Sequence, residues 1–379
     1  MKILHVVTLV TPDGAFGGPV RVALNQSKEL IARGHHVTVM GGAIGYEGGL
    51  PTELDGVPVK LFRVHSWVPG AGFSGLASLG MIWWLIRKLG SFDVVHLHLA
   101  RDLVTSPASF IAMVYRKEFF IQCHGMIDFS TKFMARLLDR LVIRRALGQA
   151  KTVFSLTPEE VANIRGLSQD ADVEILLNGI STSLDFFSTT PRQQSIPFEV
   201  IMLGRVHSIK RPLVFVELAH HLAESFPNVR FTLLGPDGGE GSRVLTRIRD
   251  LGLEETVRWE GALAPSDVLN RIRHASIFVL PSESEVMPMS ALESMSVGVP
   301  VVLCRPCGIA DDVVEAQAGL VADQTLGSLV DVVSTLLVDP DLRSRMGHAG
   351  RNLVASKFSI ERVVDQLESS YCQKTFGHG

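Results

Sequence analysis

Cysteines and signal-like segments are scarce in this sequence, and their scarcity limits the class of protein it can encode. There are four cysteines among 379 residues. The opening MKILHVVTLV has one Lys and a short apolar run, without the small-residue cleavage site of a signal peptide. Such a pattern is typical of proteins that remain in a reducing compartment. We therefore expect a cytoplasmic location.

A stretch without Asp, Glu, Lys or Arg runs from Val64 to Ile86. A membrane-spanning helix needs about 20 predominantly apolar residues. Pro69 and several Gly and Ser residues make this stretch a poor candidate for one. We expect a protein that is soluble or lies on a membrane surface.

Net charge is small, at −3, so nucleic acid is not an expected partner. The charge is nevertheless uneven. Residues 1–188 hold 18 basic and 16 acidic side chains, whereas the remainder holds 18 and 23. An anionic surface is therefore expected to meet the N-terminal half.

Short β-branched runs alternate with longer helical patterns, and this alternation occurs twice. The expected strands are KILHVV, HVTVM, VKLFRV, DVVHLHL, FFIQCHG, TVFSL, VEILLNGI, FEVIMLG, RFTLLG, VRWEG, SIFVLP and VPVVLC. Alternation at this spacing predicts parallel sheets, and the chain length suits two domains. The fold class is thus α/β, with two Rossmann-like doubly wound domains facing across a cleft.

The polar stretch Ser188–Pro197 is the expected linker. We assign residues 1–187 and the C-terminal helix 358–379 to the first domain, and residues 188–357 to the second. Ligands of doubly wound sheets bind beyond the carboxyl ends of the strands. Chemistry is therefore expected at strand ends.

Familiar phosphate-binding motifs are missing. The loop containing Gly17 and Gly18 does not fit GxGxxG, and GPDGGEG has no Walker lysine. The Gly17-Gly18 pair still lies between the first strand and its helix, where backbone amides can approach a phosphate. The pairs DAD and CRPC lack the partners of a metal site.

Two strand ends carry candidate binding residues. In MLGRVHSIKRP, Gly204 closes a strand, and Arg205 and Lys210 can both hold phosphate oxygens. A solvated basic loop is the alternative. In QCHGM, His124 follows a strand, and a structural histidine is the alternative there.

Two glutamates surround the segment EVMPMSALE. Pro288 fits the first turn of a helix, and Gly298 with Pro300 marks its end. Glu285 is thus expected in the preceding loop and Glu293 inside the helix. A helix N-terminus favours an anion, so a diphosphate between the two glutamates is physically sensible.

Over nearly its whole length the chain resembles the GT-B-fold retaining glycosyltransferases of family 4. The segments that carry the resemblance, in the family's order, are the Gly17-Gly18 loop, LIARGHHVTV, DVVHLH, HG, NGI, GRVHSIKRP, VRWEGALAPSDVLNRIRHASIFVLPSESE, EVMPMSALESMSVGVPVV, CGIADDVVEAQAGLV and FSIERVVDQLESSY. The last of these resembles the family's final helix, which crosses back to the N-terminal domain.

The resemblance implies roles for individual residues. Arg205 and Lys210 would hold the donor diphosphate and stabilise the leaving nucleoside diphosphate. Glu293 would bind the ribose hydroxyls, and Glu285 would face the donor sugar. His124 would meet the sugar and diphosphate near the reacting carbon.

Backbone groups complete the implied donor site. Gly17 and Gly18 would approach the phosphates from the opposite domain, Gly204 would line the site, and Leu263, in the loop 261–263, would lie near the base. Many family members have glycines after the first glutamate, whereas Pro288 removes one amide here. The sequence leaves open which amide is used; the candidates are Val286, Met287 and Met289.

The implied activity is transfer of a sugar from a UDP- or GDP-sugar to an acceptor hydroxyl with retention and without metal or other cofactor. The expected acceptor is a lipid-linked saccharide or other glycan precursor of cell-surface polysaccharide. Two alternatives are a sugar-nucleotide epimerase of the same fold and a non-catalytic partner subunit.

A basic helix within 132–151 suggests a membrane-surface contact on the inner face of the cell membrane. Helical spacing predicts one basic side (Lys132, Arg136, Arg140, Arg144) and an opposite apolar side (Met134, Leu138, Leu141, Val142). The pair Trp83-Trp84 beside Arg87 and Lys88 adds to it. The alternative is a solvated face over an ordinary core stripe.

Overall fold

The computed structural model describes residues 1–14, 17–68, 72–127, 133–181 and 198–376. The chain divides into two compact units. Unit 1 comprises Met1–Pro12, Phe16–Gly179 and Ile360–Gly379, and unit 2 comprises Asp13–Ala15 and Ile180–Ser359. The predicted linker Ser188–Pro197, and with it the predicted border between residues 187 and 188, lies outside the described residues.

Strands and helices alternate in unit 1. The strands are β1 (Lys2–Val10), β2 (His36–Ala43), β3 (Glu53–Leu54), β4 (Val57–Arg63), β5 (His65–Ser66), β6 (Leu76–Ala77), β7 (Val94–His98), β8 (Phe119–Gln122), β9 (Val153–Ser155) and β10 (Val173–Ile175). The helices are α1 (Gly17–Ala32), α2 (Leu79–Lys88), α3 (Thr105–Val114), α4 (Phe133–Leu138), α5 (Arg144–Gln149) and α6 (Pro158–Leu167). A π-helical turn, Asp139–Ile143, joins α4 to α5.

Unit 2 has the same alternation. Its strands are β11 (Phe198–Leu203), β12 (Val229–Leu234), β13 (Val257–Trp259), β14 (Ile277–Leu280), β15 (Val301–Cys304) and β16 (Gly319–Ala322). Its helices are α7 (Pro212–Ala223), α8 (Gly241–Asp250), α9 (Pro265–Ile272), α10 (Met289–Ser296), α11 (Ala310–Glu315), α12 (Leu326–Val338) and α13 (Pro340–Lys357). The helix that follows, α14 (Ile360–Phe376), lies in unit 1.

Both sheets have the strand order of a dinucleotide-binding fold. In unit 1 the order is β10-β9-β8-β7-β1-β2-β4-β3, and in unit 2 it is β13-β12-β11-β14-β15-β16. All pairs are parallel except β3 with β4 and the small β5–β6 hairpin. The order reverses between β1 and β7 and between β11 and β14, and ligands of such sheets bind at that point.

The predicted fold class of two Rossmann-like domains is confirmed, and a strand is present at every predicted position. The strands β3, β5, β6 and β16 were not predicted. All four are short, at two to four residues, and lack a β-branched run, which is the signal that marked the others.

Central strands have buried residues on both faces, as expected when helices cover both sides of a parallel sheet. Every residue of β7, β14 and β15 is buried. On one face of the unit 1 sheet, α14 contributes Val364, Leu367 and Tyr371 to a core shared with β1, β7 and β8. Arg33, directly after α1, holds α14 further through ion pairs with Asp365 and Glu368.

Among the described helices, none is both long enough and apolar enough to cross a membrane.

Candidate active site

The carboxyl end of β11 is built for close backbone approach. Gly235, at the end of β12, has φ +128°, and a Cβ there would lie 2.1 Å from the carbonyl oxygen of Gly204. Only glycine fits at such a distance. Next to it, a Cβ on Gly238 would lie 2.7 Å from Cγ of Arg205. Arg205 therefore lies against the Gly-rich loop that precedes α8.

Three predicted residues meet at the edge where β11 and β14 are neighbours. Lys210 forms an ion pair with Glu285, and both side chains are largely buried. The Lys210 stem passes over Gly204, where an added Cβ would be 3.7 Å from Cε. The structure thus brings together Gly204, Lys210 and Glu285 at the topological switch point of unit 2.

A hydrogen-bond network centred on Gln324 ties together four loops at the same edge. Gln324 follows β16, and its amide nitrogen donates to the carbonyl oxygens of Ser282 (3.2 Å) and Glu283 (3.3 Å) and to that of Arg305. Arg211, which follows β11, donates to both oxygens of Gln324. The loops after β11, β14, β15 and β16 are thereby held as one assembly.

The backbone of Glu285 is held by the loop that follows β15. Its N–H donates to the carbonyl oxygen of Pro306 at 3.1 Å, and its own carbonyl accepts from Gly308 at 2.9 Å. The N–H of Glu283 donates to Ile209 at 2.8 Å. The carboxylate of Glu285 is therefore presented by a backbone that is fixed on both sides.

Cys307 lies in the same loop and is a poor nucleophile. Burial raises the pKa of its thiol to about 11, and the nearby Glu285 carboxylate acts in the same direction. Cys304 is buried as well, and burial raises its pKa to about 11. Both cysteines are unbonded thiols, so the CRPC segment forms part of the support of the site.

Helix α10 separates the two glutamates, as predicted. Glu285 lies in the loop, and Glu293 lies within the helix and is buried. The predicted place of Pro288 in the first turn is one residue wrong. Pro288 precedes the helix with extended backbone (ψ 110°), and its carbonyl accepts from Ala291 and Leu292. Its fixed φ suits either position.

The remaining donor-site predictions of unit 2 fall around these residues. Val286 and Met289 are half-buried and Met287 is buried, directly before or at the start of α10. Leu263 is half-buried in the loop after β13. That loop adjoins the end of β12, because the N–H of Gly235 donates to Gly261 at 2.7 Å.

In unit 1, Gly17 and Gly18 begin α1, directly after the loop that follows β1. A Cβ on Gly18 would meet no described atom within 4 Å. The expected approach of the Gly17 and Gly18 amides to a phosphate stays a prediction.

His124 lies two residues beyond β8 in a left-handed conformation, with φ +55°. This region is uncommon outside glycine and often marks functional sites. Glu160, at the start of α6, supports the turn by accepting from the N–H of Gly125 at 2.5 Å. Thr157 caps that helix by accepting from the N–H of Glu160 at 3.2 Å.

His124 is the outermost of four histidines at this edge. Its Nε2 lies 2.7 Å from Nδ1 of His98, whose Nε2 lies 3.0 Å from Nδ1 of His5. His96 packs beside both His5 and His98, with ring centroids 4.8 Å from each. Burial lowers the pKa of His5 and His124 to about 3, and that of His96 and His98 well below the usual value.

The three innermost histidines lie close enough together to be candidate metal ligands. Ligand atoms of His5, His96 and His98 lie within 4.8 Å of one another. However, both nitrogens of His98 take part in hydrogen bonds, and Nδ1 of His96 bonds to the Tyr371 hydroxyl at 2.5 Å. The nitrogen pair His5 Nδ1 and His98 Nε2 is itself a hydrogen bond of 3.0 Å, so these lone pairs are not available to an ion. The group fits a hydrogen-bonded layer better than a tetrahedral ion site.

Residue types alone did not identify several supporting residues. Arg211, Gln324 and Glu160 were missed because their partners are distant in sequence. His96 and His98 did carry a signal, since histidines spaced by two within one strand lie on the same face of the sheet.

The predicted basic helix is interrupted by the π turn. Arg136, Arg140 and Arg144 are exposed, while Lys132 lies outside the described residues. Leu141, predicted on the side opposite the basic residues, is 52% exposed, so the alternative of a core stripe does not hold at this residue. The turn inserts one residue per turn more than the ideal helix, which rotates Leu141 outward. Of the two tryptophans, Trp83 is 56% exposed, whereas Trp84 packs against the core.

Each of the two units matches a known protein family. The family model of group 1 glycosyl transferases matches residues 188–353, and that of the glycosyl transferase 4-like domain matches residues 17–179. The D-inositol 3-phosphate glycosyltransferase of Thermobifida fusca (strain YX) is 32% identical over 97% of this chain and 91% of its own length.

Solved structures share the fold. Sucrose-phosphate synthase from Thermosynechococcus elongatus superposes with a TM-score of 0.75 at 17% identity, over 98% of each chain. Anabaena HepE, in complex with UDP and glucose, gives 0.73 at 18% identity over 98% of this chain and 99% of its own. The chain therefore belongs to the group 1 glycosyltransferases and is an enzyme with the GT-B fold.

Proposed function

We propose that this enzyme transfers a sugar from a nucleotide-sugar, a UDP- or GDP-sugar, to an acceptor hydroxyl with retention of configuration and without a metal ion. The observation that carries the proposal is the Lys210–Glu285 ion pair beside Gly204. It lies where the strand order of unit 2 reverses, and α10 begins four residues after Glu285.

The charges suit cleavage of a glycosyl phosphate. Breaking this bond builds negative charge on the departing diphosphate and positive charge on the sugar ring. Lys210, Arg205 and the N-terminus of α10 stabilise the negative charge on the diphosphate. Glu285 stabilises the positive charge on the sugar ring. Because two cations and a helix end serve the diphosphate, the reaction requires no metal.

We assign the other residues in keeping with this arrangement. Glu293 binds the ribose hydroxyls, Leu263 lies near the base, and backbone amides among Val286, Met287 and Met289 face the donor. In unit 1, His124 meets the sugar and diphosphate, and the Gly17-Gly18 amides approach the phosphates. A leaving phosphate oxygen takes the acceptor proton, so no separate base is needed.

Donor choice is tested by thermal shift with UDP-, GDP- and ADP-sugars. A ligand of the folded state adds about 2.7 kcal/mol at a hundredfold excess over its Kd. UDP-sugars come first, because HepE was solved with UDP and glucose. A Glu293→Ala variant should lose donor affinity; full affinity would contradict the ribose assignment.

Stereochemistry and metal dependence are tested on the turnover reaction. We expect NMR of the product to show the anomeric configuration of the donor, and we expect turnover to continue in EDTA. An inverted product, or activity lost in EDTA and restored by Mg²⁺, would contradict the mechanism. Free isomerised nucleotide-sugar without acceptor would favour an epimerase.

The acceptor is proposed to be a lipid-linked saccharide or another glycan precursor for cell-surface polysaccharide, used at the cytoplasmic face of a membrane. The support is one face of unit 1. Helices α2, α3 and α5 pack together over a shared core, and their outer sides carry large exposed apolar residues. These are Leu79, Trp83, Ile86, Phe110, Val114, Leu137 and Leu141, the last two preceding α5 in the same continuous helix.

Basic residues surround that apolar face. Arg136, Arg140 and Arg144 are exposed, and the Arg87 guanidinium stacks 3.6 Å from the centre of the Trp83 ring. Aromatic and basic groups together suit the interface of an anionic bilayer.

Vesicle flotation tests this face. Each basic residue near the surface contributes about 1 kcal/mol, so Arg136→Gln, Arg140→Gln and Arg144→Gln together should weaken binding to anionic vesicles about a hundredfold. Arg230→Gln with Arg258→Gln, exposed in unit 2, is the control. If the wild-type protein does not bind anionic vesicles, the membrane proposal is wrong. Parallel assays with D-inositol 3-phosphate, named for the relative from Thermobifida fusca, would identify a water-soluble acceptor instead.

A further inference from the structure

We propose that His98 and His5 are positioning residues that fix the tautomer of His124, so that its Nδ1 carries the hydrogen and donates it to an oxygen of the donor. The proposal rests on the proposed function only for the identity of that oxygen. The tautomer itself is a property of unit 1.

The three rings form a continuous hydrogen-bonded chain. His5 lies on β1, His98 is the last residue of β7, and His124 follows β8. The contacts are 3.0 Å between His5 Nδ1 and His98 Nε2, and 2.7 Å between His98 Nδ1 and His124 Nε2. Adjacent strands of one sheet hold the rings, and His5 and His98 are fully buried.

Each of the three hydrogen-bonded imidazole rings is neutral. Burial lowers the pKa values of all three, to about 3 for His5 and His124. A neutral imidazole has one N–H and one acceptor nitrogen. The two contacts then allow only two arrangements, with every N–H directed outward from His5 to His124, or every N–H directed inward.

The inner end of the chain favours the outward arrangement. Nε2 of His5 is buried and has no hydrogen-bond partner among the described residues. In the inward arrangement this atom would carry an N–H without an acceptor, and orphaned buried N–H groups are rare in proteins. In the outward arrangement the same atom is an unprotonated nitrogen.

The outer end of the three-histidine chain, at His124, also favours the outward arrangement. Phosphate oxygens of a nucleotide-sugar accept hydrogen bonds and cannot donate them at neutral pH. An outward chain gives His124 an Nδ1–H for such an oxygen or for a sugar hydroxyl. An inward chain would direct a lone pair at the phosphate. No proton is transferred in this role; the chain only sets which ring nitrogen holds it.

The surroundings restrain the rings without competing for these nitrogens. His96 stacks on His5 and His98, and its Nδ1 is engaged by Tyr371 of α14. Glu160 bonds to the N–H of Gly125, next to His124 in sequence. The tautomer of His124 therefore depends on His98, and that of His98 on His5.

The direct test is ¹⁵N NMR of histidine-labelled full-length protein at pH 7.5. We expect the His124 signals, assigned by their loss in His124→Gln, to show a protonated Nδ1 and an unprotonated Nε2. In His98→Leu the donor is gone, and His124 should shift towards the Nε2–H form that free histidine prefers. His98→Asn places an amide N–H near the position of Nδ1 and should retain the wild-type pattern. A protonated Nε2 in the wild-type protein would overturn the proposal.

Kinetics provide a second test with matched variants. His98→Leu should lower kcat/KM about tenfold to a hundredfold, as for loss of a hydrogen bond to a charged group, and His98→Asn should recover most of it. His5→Leu should cost less, because the outward arrangement then loses only the hydrogen bond at His98 Nε2 and no N–H is orphaned. Equal losses in His98→Leu and His98→Asn, with unchanged melting temperatures, would contradict a tautomer role.

The two proposals fail separately. If His124→Ala keeps full activity, the donor contact assigned to His124 is wrong. The ¹⁵N NMR pattern of the wild-type protein still tests the direction of the hydrogen bonds among the three histidines. If His98→Leu does not fold, the wild-type and His98→Asn NMR patterns still test the tautomer, because a protonated Nε2 of His124 in either protein would contradict it.

Discussion

The strand order reverses at the centre of both sheets, but different interactions stabilise the carboxyl edges of the two sheets. In unit 2 the edge carries an ion pair, Lys210 with Glu285, and loops joined through Gln324. In unit 1 it carries buried imidazoles whose pKa values are lowered by burial, so they are neutral. One topology thus carries a charged pair at the edge of one unit and neutral, directional imidazoles at the edge of the other.

The difference teaches which parts of a reaction each edge can serve. A charged pair responds strongly to charge that develops on a ligand, and more so where water is excluded. Neutral imidazoles respond weakly to charge, but the direction of their hydrogen bonds can be fixed. Three changes should break or sharpen this contrast, in decreasing order of effect.

The largest effect is expected from Lys210→Met. The variant keeps the length of the side chain but removes the cation beside Glu285, so the departing diphosphate loses one stabilising charge. We expect kcat to fall about a hundredfold to a thousandfold. Initial rates at saturating donor measure it.

Lys357→Met provides the matched control, because Lys357 also forms an ion pair in unit 2, with Asp312. We expect its kcat to stay within about twofold of wild type, since single exposed ion pairs contribute little. Equal rates for the Lys210 and Lys357 variants would show that the Lys210–Glu285 pair is only structural.

A middle effect is expected from Gln324→Leu. The substitution removes the side-chain bonds that join the loops after β14, β15 and β16. Arg211 loses the side-chain oxygen of Gln324 and keeps the backbone carbonyl of that residue. We expect a loss of about 1–3 kcal/mol in the free energy of unfolding, with about tenfold weaker donor binding. Urea unfolding and donor titration measure these two quantities.

Gln366→Leu is the control, because Gln366 donates a single bond, to Ile175 in unit 1. It should leave donor binding unchanged. Donor affinity that is equally insensitive to Gln324→Leu would mean that the four loops keep their positions without the network.

The smallest effect is a pH dependence confined to unit 1. Folding lowers the pKa of His5 from 6.5 to about 3, so the unfolded chain binds more protons between these values. Stability is full above pH 6.5 and falls as the pH is lowered towards 3. We expect His5 to contribute a loss of about 1 kcal/mol between pH 7.5 and pH 5.5.

Unit 2 should respond only at lower pH. Burial alone would raise the pKa of Glu199, but its hydrogen bonds with Arg271 and Thr232 outweigh burial and lower it below the usual 4.5. That contribution is present above pH 4.5 and lost below it. Urea unfolding at pH 7.5 and 5.5 checks the contrast. His5→Asn should reduce the slope, whereas the exposed His65→Asn should not; identical slopes would argue against neutral buried histidines.

Much of the site could be predicted wherever the signal was local. Pro288 and Gly298 placed the ends of α10 to within a residue, because each restricts its own backbone. The separation of Glu285 and Glu293 followed directly. The orientation of Leu141 could not be predicted, because the π turn between α4 and α5 changes the period on which the prediction depended.

The sequence by itself determined the order of strands and helices, since alternating patterns and turn residues act over a few neighbours. Which strand ends meet was decided by the tertiary structure. Lys210 and Glu285 are 75 residues apart, and His5 and His98 are 93 apart. Parallel sheets with reversed strand order bring such distant ends to one edge. Pairing, burial and the direction of hydrogen bonds therefore arise only once the sheet has formed.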